Sequence, residues 1–239
     1  MKKTLLTYCL LLILAMVSCD KNSAPQNNVF KDSAIMQDQL NQQKFNKEKN
    51  KNNPEVINRD TSEITNVAIL KTNFGNIILG LYGKEAPKTV ENFINLVDSL
   101  KFYDGLLFHR VAYNFLIQAG DKNTKNIKKK ADWGKGGTTF SGKTLEDELF
   151  SHTTSYKNGY LVGTLAMANK GPNTGTSQFF ICLKEAIKLK NKYTIFGRVL
   201  EGMPIVEKIS AAEITPSAYD PLDGVPVEPI VIQSIRIQY

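Results

Sequence analysis

The stretch Phe108-His109-Arg110-Val111-Ala112-Tyr113-Asn114-Phe115-Leu116-Ile117-Gln118-Ala119-Gly120-Asp121 carries the most telling pattern in the chain. It covers two short apolar runs, residues 107–111, which begin one residue ahead of it, and 115–118, set between residues that favour turns. Runs of this length bounded by Gly, Asn and Asp read as strands. One residue breaks the pattern: Arg110 stands between Phe108 and Val111 in a run otherwise poor in charge.

Upstream, periodicity begins at Ile64. Val67-Ala68-Ile69-Leu70 and Ile77-Ile78-Leu79 flank Asn73-Phe74-Gly75-Asn76, a hairpin signal with a glycine available for positive φ. Pro87 suits a first helical position, and Val90, Phe93, Ile94, Val97 and Leu100 follow at spacings of three and four, one face of an amphipathic helix. Downstream, short apolar runs recur at residues 160–167, 178–183, 193–199 and 230–237, with a second short helix predicted near residues 203–209. Many short strands with one early and one later helix predict a mainly β fold, a closed, mostly antiparallel barrel capped by helices. There is no internal repeat.

The chain has 239 residues, 42% of them apolar and 22% charged, an ordinary globular composition. Lys2 and Lys3 precede an uncharged, mostly apolar run over residues 5–17, which is too short to span a bilayer comfortably and reads as a secretory signal. Met16-Val17-Ser18-Cys19 resembles the lipobox of bacterial lipoproteins, with methionine in place of the usual leucine. The resemblance implies cleavage after residue 18 and a lipid on Cys19. The alternatives are an uncleaved signal anchor or a plain secreted protein. Residues 19–63 are rich in Asn, Gln and Lys and sustain no period, so they read as a flexible tether to a domain over residues 64–239. Cell-envelope localisation on a bacterial membrane follows, facing the periplasm or the surface. Cys182, in an apolar run, is expected to be an inert buried thiol.

The formal net charge of +7 is partly concentrated in residues 122–130. No aromatic residue interleaves with these lysines, so the stretch reads as a solvated loop rather than a nucleic-acid site. A Gly-x-Ser-x-Gly elbow, a phosphate-cradling loop and a Cys pair at metal spacing are all missing. With only His109 and His152, a histidine-based zinc site or a Ser-His-Asp triad would use nearly every histidine present. No metal and no cofactor are expected.

A second string, Leu165-Ala166-Met167-Ala168-Asn169-Lys170-Gly171-Pro172-Asn173-Thr174-Gly175-Thr176-Ser177-Gln178-Phe179-Phe180-Ile181, completes the pattern. Together the two strings resemble the cyclophilin family of peptidyl-prolyl isomerases, whose motifs run F-H-R-V-x-x-x-F-x-x-Q-x-G-D and M-A-N-x-G-P-N-(T)-x-x-S-Q-F-F. The likeness continues in Tyr193-Thr194-Ile195-Phe196-Gly197-Arg198-Val199 and Glu201-Gly202-Met203. It implies a closed eight-stranded antiparallel β-barrel capped by two α-helices. It also implies an enzyme that speeds cis/trans rotation of X-Pro bonds; with the signal-like N-terminus its substrates are expected to be exported proteins whose folding it assists, and a monomer is the default expectation.

The resemblance assigns the site residue by residue. Arg110 matches the catalytic arginine, and Gln118 the glutamine that orients it and touches substrate; Phe115, counted with these two as catalytic, and Leu116, Phe180, Leu189 and Tyr193 match the lining of the proline pocket. Ala168 and Asn169 match the pair whose backbone holds the substrate chain, and Gln178 is a supporting contact. Singly, each apolar residue is an ordinary core side chain; only the joint spacing makes a site. Five departures stand out, one of them the basic stretch over residues 122–130, longer than the usual loop after Gly-Asp and placed to alter access to the residues preceding proline. Leu116 replaces a methionine, Ala119 replaces a glycine, Tyr193 stands where many members have histidine, and Lys188 falls where drug-sensitive members carry tryptophan, which puts tight cyclosporin binding in doubt. Two rival readings follow. One is a non-catalytic module or chaperone that binds proline-containing segments. The other is a structural lipoprotein whose pocket is filled by Phe115 and Phe180 buried against each other.

Overall fold

The computed structural model describes residues 63–239. The signal over residues 1–18, Cys19 and nearly all of the tether lie outside them. Ten strands form one antiparallel sheet: β1 (Asn66–Thr72), β2 (Gly75–Leu81), β3 (Arg110–Ala112), β4 (Leu116–Ala119), β5 (Thr164–Met167), β6 (Phe179–Cys182), β7 (Ile195–Glu201), β8 (Ile214–Pro216), β9 (Asp223–Pro226) and β10 (Ile232–Gln238). Their order is β10-β1-β2-β7-β5-β6-β4-β3-β9-β8.

The expectation of a closed eight-stranded barrel is corrected on both counts. The terminal strands β10 and β8 do not pair, so the strand ladder stays open. The two extra strands form the β8–β9 hairpin, registered Ile214↔Pro226 and Pro216↔Gly224, which hangs on β3. It escapes a sequence reading because β8 is three residues long, half to fully exposed and ends in proline, a residue confined to sheet edges. Between the ends, residues 105–108 reach residues 230–232 through backbone bonds such as Phe108 N–H to Ile230 O at 2.9 Å and Gly105 N–H to Ile232 O at 2.8 Å.

The predicted hairpin is β1–β2. Its register Leu70↔Ile77 and Ala68↔Leu79 puts fully buried side chains on one face. Helix α1 (Pro87–Asp98) buries Val90, Phe93, Leu96 and Val97 against the main core. The Phe93 ring lies 5.1 Å from Tyr103, 5.5 Å from Phe196 and 6.0 Å edge-on from Phe179. Its N-cap, Ala86, has no side-chain oxygen to offer. The carboxylate of Glu148 substitutes, accepting the Lys88 and Thr89 N–H groups at 3.0 and 2.9 Å. A five-residue α2 (Thr154–Asn158), which no periodicity announced, has Glu85 in the same role, accepting from Thr154 and Ser155. Helix α3 (Met203–Ser210) buries Val206 and Ile209.

The basic stretch is more ordered than a plain loop. It winds through two 3-10 turns, Lys122–Lys125 and Ile127–Asp132. The buried Asp121 carboxylate anchors it, accepting from Asn123 N–H at 2.7 Å and Gly136 N–H at 3.1 Å. The lysines themselves stay exposed.

Candidate active site

Side chains alternate between the two faces of a strand, and here the alternation divides the two motif strings between two tasks. Arg110 pairs with Gln118 and Ala112 with Leu116 across β3–β4; Gln118 then faces Phe180 and Leu116 faces Cys182 across β4–β6. These residues share one face. Val111, Ile117, Phe179 and Ile181 take the opposite face and join the main core. The consecutive phenylalanines therefore part company, Phe179 into the interior and Phe180 onto the site face.

On that face Ala112, Leu116, Tyr160, Ala166, Phe180 and Cys182 form a second buried apolar cluster. Phe115, Ala168, Leu189 and Tyr193 pack against it and remain half-buried. Phe180 meets Tyr193 edge-on, with ring centroids 5.3 Å apart, while Phe115 has the Lys184 ammonium 6.0 Å from its ring centre. Phe180 thus pairs with tyrosines rather than with Phe115, unlike the filled pocket of the structural rival. Leu189 ends a short 3-10 turn, Ile187–Leu189, closed by Lys190 in the left-handed region at φ 49°. Burial pushes the Cys182 thiol up to about 12, so it stays protonated and inert.

The polar half of the face is a directed chain. Arg110 donates from Nη1 to Gln118 Oε1 at 3.3 Å; Gln118 donates from Nε2 to Gln178 Oε1 at 2.9 Å. Gln178 in turn donates from Nε2 to the carbonyls of Gly134, at 3.1 Å, and Gly136. Carbonyls only accept, so they set the Gln178 amide, which sets Gln118, which presents its oxygen to Arg110. The other edge of the guanidinium is held by Asp223, whose carboxylate accepts Nε at 3.0 Å and Nη2 at 2.6 Å. Of five guanidinium N–H groups, two go to Asp223 and one to Gln118, which leaves two. The Arg110 side chain is 41% exposed.

Beyond Gln118 lies a hollow of about 330 Å³, lined in part by Gln178, Gly136, Ala168, Asn169 and Lys170. This half-open hollow is on the polar side of the face, next to the apolar cluster rather than within it. Asn169 is outside the cluster, with its amide spent on structure, donating to Lys192 O at 2.8 Å and accepting from Gly171 N–H at 3.3 Å. His109 is turned inward; burial lowers it to about 4, partly offset by the Asp121 charge, so it stays neutral near pH 7.

Two residues of the site are not legible in the motifs. Tyr160, buried in the cluster, both donates from its hydroxyl to Tyr193 O and accepts from Tyr193 N–H, each at 2.8 Å, fixing the backbone of that residue. It lies in a bend ahead of β5, and nothing in the short apolar run that it opens marks the hydroxyl. Asp223 is the other, more than a hundred residues from its partner in an exposed, turn-rich segment with no motif around it.

The profile of the family described as "Cyclophilin type peptidyl-prolyl cis-trans isomerase/CLD" matches residues 67–237. Peptidyl-prolyl cis-trans isomerase-like 1 of Mus musculus is 42% identical over 72% of this chain and 95% of its own length. Peptidyl-prolyl cis-trans isomerase ppi1 of Schizosaccharomyces pombe is 39% identical over 68% of this chain and 93% of its own. A Cryptosporidium parvum cyclophilin-type isomerase solved in the presence of the dipeptide Ala-Pro superposes with a TM-score of 0.61 at 28% identity, covering 72% of this chain and 99% of its own. With its two motif strings split across one sheet into core and site, and its profile match running nearly the whole described domain, this chain belongs to the cyclophilin-type peptidyl-prolyl cis-trans isomerase family.

Proposed function

We propose that this isomerase lowers the rotation barrier of X-Pro bonds through Arg110, with the proline ring seated on Phe115, Leu116, Phe180, Leu189 and Tyr193. Rotation must break amide resonance, a barrier of about 18–20 kcal/mol, and makes or breaks no bond. In the twisted transition state the proline nitrogen becomes pyramidal and regains a lone pair. A fixed donor aimed there stabilises the twisted form over either planar isomer, which is the condition for catalysis. What supports the reading is the guanidinium itself: pinned on two edges, it has two N–H groups left over, and Arg110 sits on the strand face that carries the apolar cluster. Residues ahead of proline run past Ala168 and Asn169 over the polar hollow.

A module that only binds proline segments has no need of a donor oriented by a chain of amides, which favours the enzyme. The test is a proline-peptide isomerisation assay on the full chain. Arg110→Ala is expected to lower kcat/KM by about 10²–10³, the usual effect of removing one preorganised donor. Wild-type turnover no better than that variant would leave a binding module.

We further propose that the enzyme serves exported proteins in the cell envelope, as a monomer held on a bacterial membrane by a lipid on Cys19 once the signal over residues 1–18 is removed. The support is the signal-like run and the lipobox-like Met16-Val17-Ser18-Cys19. Labelling cells with a fatty-acid probe beside a Cys19→Ala variant tests it. Unchanged labelling and membrane association in the variant would remove the anchor.

A further inference from the structure

The geometry points to Asp223 as a positioning residue for catalysis, the group that holds the Arg110 guanidinium in its working orientation; this rests on the role proposed for Arg110. The contact is side-on and two-pronged. Nε lies 3.0 Å from each carboxylate oxygen and Nη2 lies 2.6 Å from Oδ2. A planar fork on a carboxylate constrains orientation as well as position, which a single contact cannot do. Gln118 touches only Nη1, at 3.3 Å, so it steers one corner of the group and leaves rotation about the long side chain open.

Asp223 is itself held firmly enough to serve. It opens β9, opposite Ala112 in β3, so its backbone is in register with the strand that carries Arg110. Its N–H donates to Asp220 O at 3.2 Å and its carbonyl accepts from Ser217 N–H at 2.7 Å. The preceding carbonyl, of Leu222, accepts from Tyr113 N–H at 2.7 Å, tying the loop to the β3–β4 turn. The Asp220 carboxylate caps the turn by accepting from Leu222 N–H at 2.8 Å. The Asp223 side chain is 18% exposed, against 41% for its partner.

Two effects of the carboxylate oppose each other. It offsets the positive charge that would favour the nascent lone pair, and it freezes a side chain that otherwise samples many rotamers. Positioning wins here, because a guanidinium this exposed already has its field damped by water, whereas water does nothing to aim it.

The test is a double-mutant cycle on the full chain with a proline-peptide isomerisation assay. Asp223→Ala is expected to lower kcat/KM by about 5- to 30-fold, mostly in kcat, with KM within about twofold. In an Arg110→Ala background the same change is expected to matter by less than about twofold. A role confined to the stability of the β8–β9 hairpin would give equal losses in both backgrounds, and that result overturns the inference, as does wild-type kcat/KM in the single variant. Asp223→Asn, which keeps the shape and one acceptor, carries the same test should the alanine variant fail to fold, with a smaller loss expected. A second readout does not depend on turnover: the Arg110 Nε–H resonance in 15N-labelled protein is expected to exchange slowly with solvent in the wild type and fast in Asp223→Ala. Equal exchange in both overturns the positioning role. Slow exchange in a wild type without isomerase activity would instead overturn the role proposed for Arg110, and with it the catalytic purpose of the Asp223 grip, while leaving the grip itself in place.

Discussion

Gln118→Glu is a nearly isosteric change with a large expected effect, because the amide of Gln118 works in two directions at once. Its oxygen accepts from Arg110 at 3.3 Å and its nitrogen donates to Gln178 Oε1 at 2.9 Å. A carboxylate keeps the first contact and turns the second into two oxygens facing each other. Gln178 can relieve this only by flipping, which takes its nitrogen away from the carbonyls of Gly134 and Gly136. Two hydrogen bonds in a largely buried setting amount to about 2–3 kcal/mol, so the unfolding midpoint is expected to drop by roughly 4–12 °C. The new anion also stands beside Arg110, opposite Asp223, and cancels the donor's charge. A loss of about 2–3 kcal/mol of transition-state stabilisation corresponds to about a 30- to 150-fold fall in kcat/KM. Gln118→Ala, which removes the contact without adding charge, is expected to lose only about 5- to 15-fold. Proline-peptide isomerisation at pH 7.5 and at pH 5, with thermal unfolding at both, checks the reasoning. As pH falls, protonation of the new carboxyl restores a donor toward Gln178, so the variant is expected to recover relative to wild type. A Gln118→Glu protein as active and as stable as Gln118→Ala, with no recovery in acid, would refute the directed chain.

Three further outcomes follow from the scaffold. Glu148→Ala strips the buried carboxylate from two helix N–H groups and is expected to cost about 2 kcal/mol in urea unfolding, with kcat/KM within about twofold of wild type. Gly120→Ala places a methyl against the Ser177 carbonyl at a φ of +93°. A loss of more than about 2 kcal/mol is expected, and an unchanged melting temperature would contradict the close approach of the two segments. Burial holds His109 at about 4 in the folded protein, against about 6.5 unfolded. The unfolded chain therefore binds the extra proton first. Stability is full above pH 6.5 and falls as pH drops towards 4, by on the order of 3 kcal/mol from this residue. Denaturation midpoints that stay flat across this window in wild type, or that fall as steeply in His109→Gln, would contradict it.

Much of this site was legible along the chain because the signals that mark it are local. Alternation at Arg110, Ala112, Leu116 and Gln118 is a property of an extended backbone, and the spacing of Val90, Phe93 and Val97 is a property of a helix; neither needs the rest of the molecule. The motif resemblance then singles out Arg110, Gln118 and the apolar residues around Phe180 as a group. The closed eight-stranded barrel did not survive, because a three-residue exposed strand ending in Pro216 carries no apolar pattern to announce it. What completes the scaffold and the site came from the path of the chain. Glu148 caps α1 across sixty residues, Tyr160 clamps Tyr193, and Asp223 meets Arg110 across 113. The residues alone tell where the longer strands and helices run and, through the motif resemblance, that Arg110, Gln118 and Phe180 belong together, since these signals are local. Tertiary structure alone decided which distant carboxylate grips the arginine, since an ion pair depends on separation in space and leaves no period in the chain.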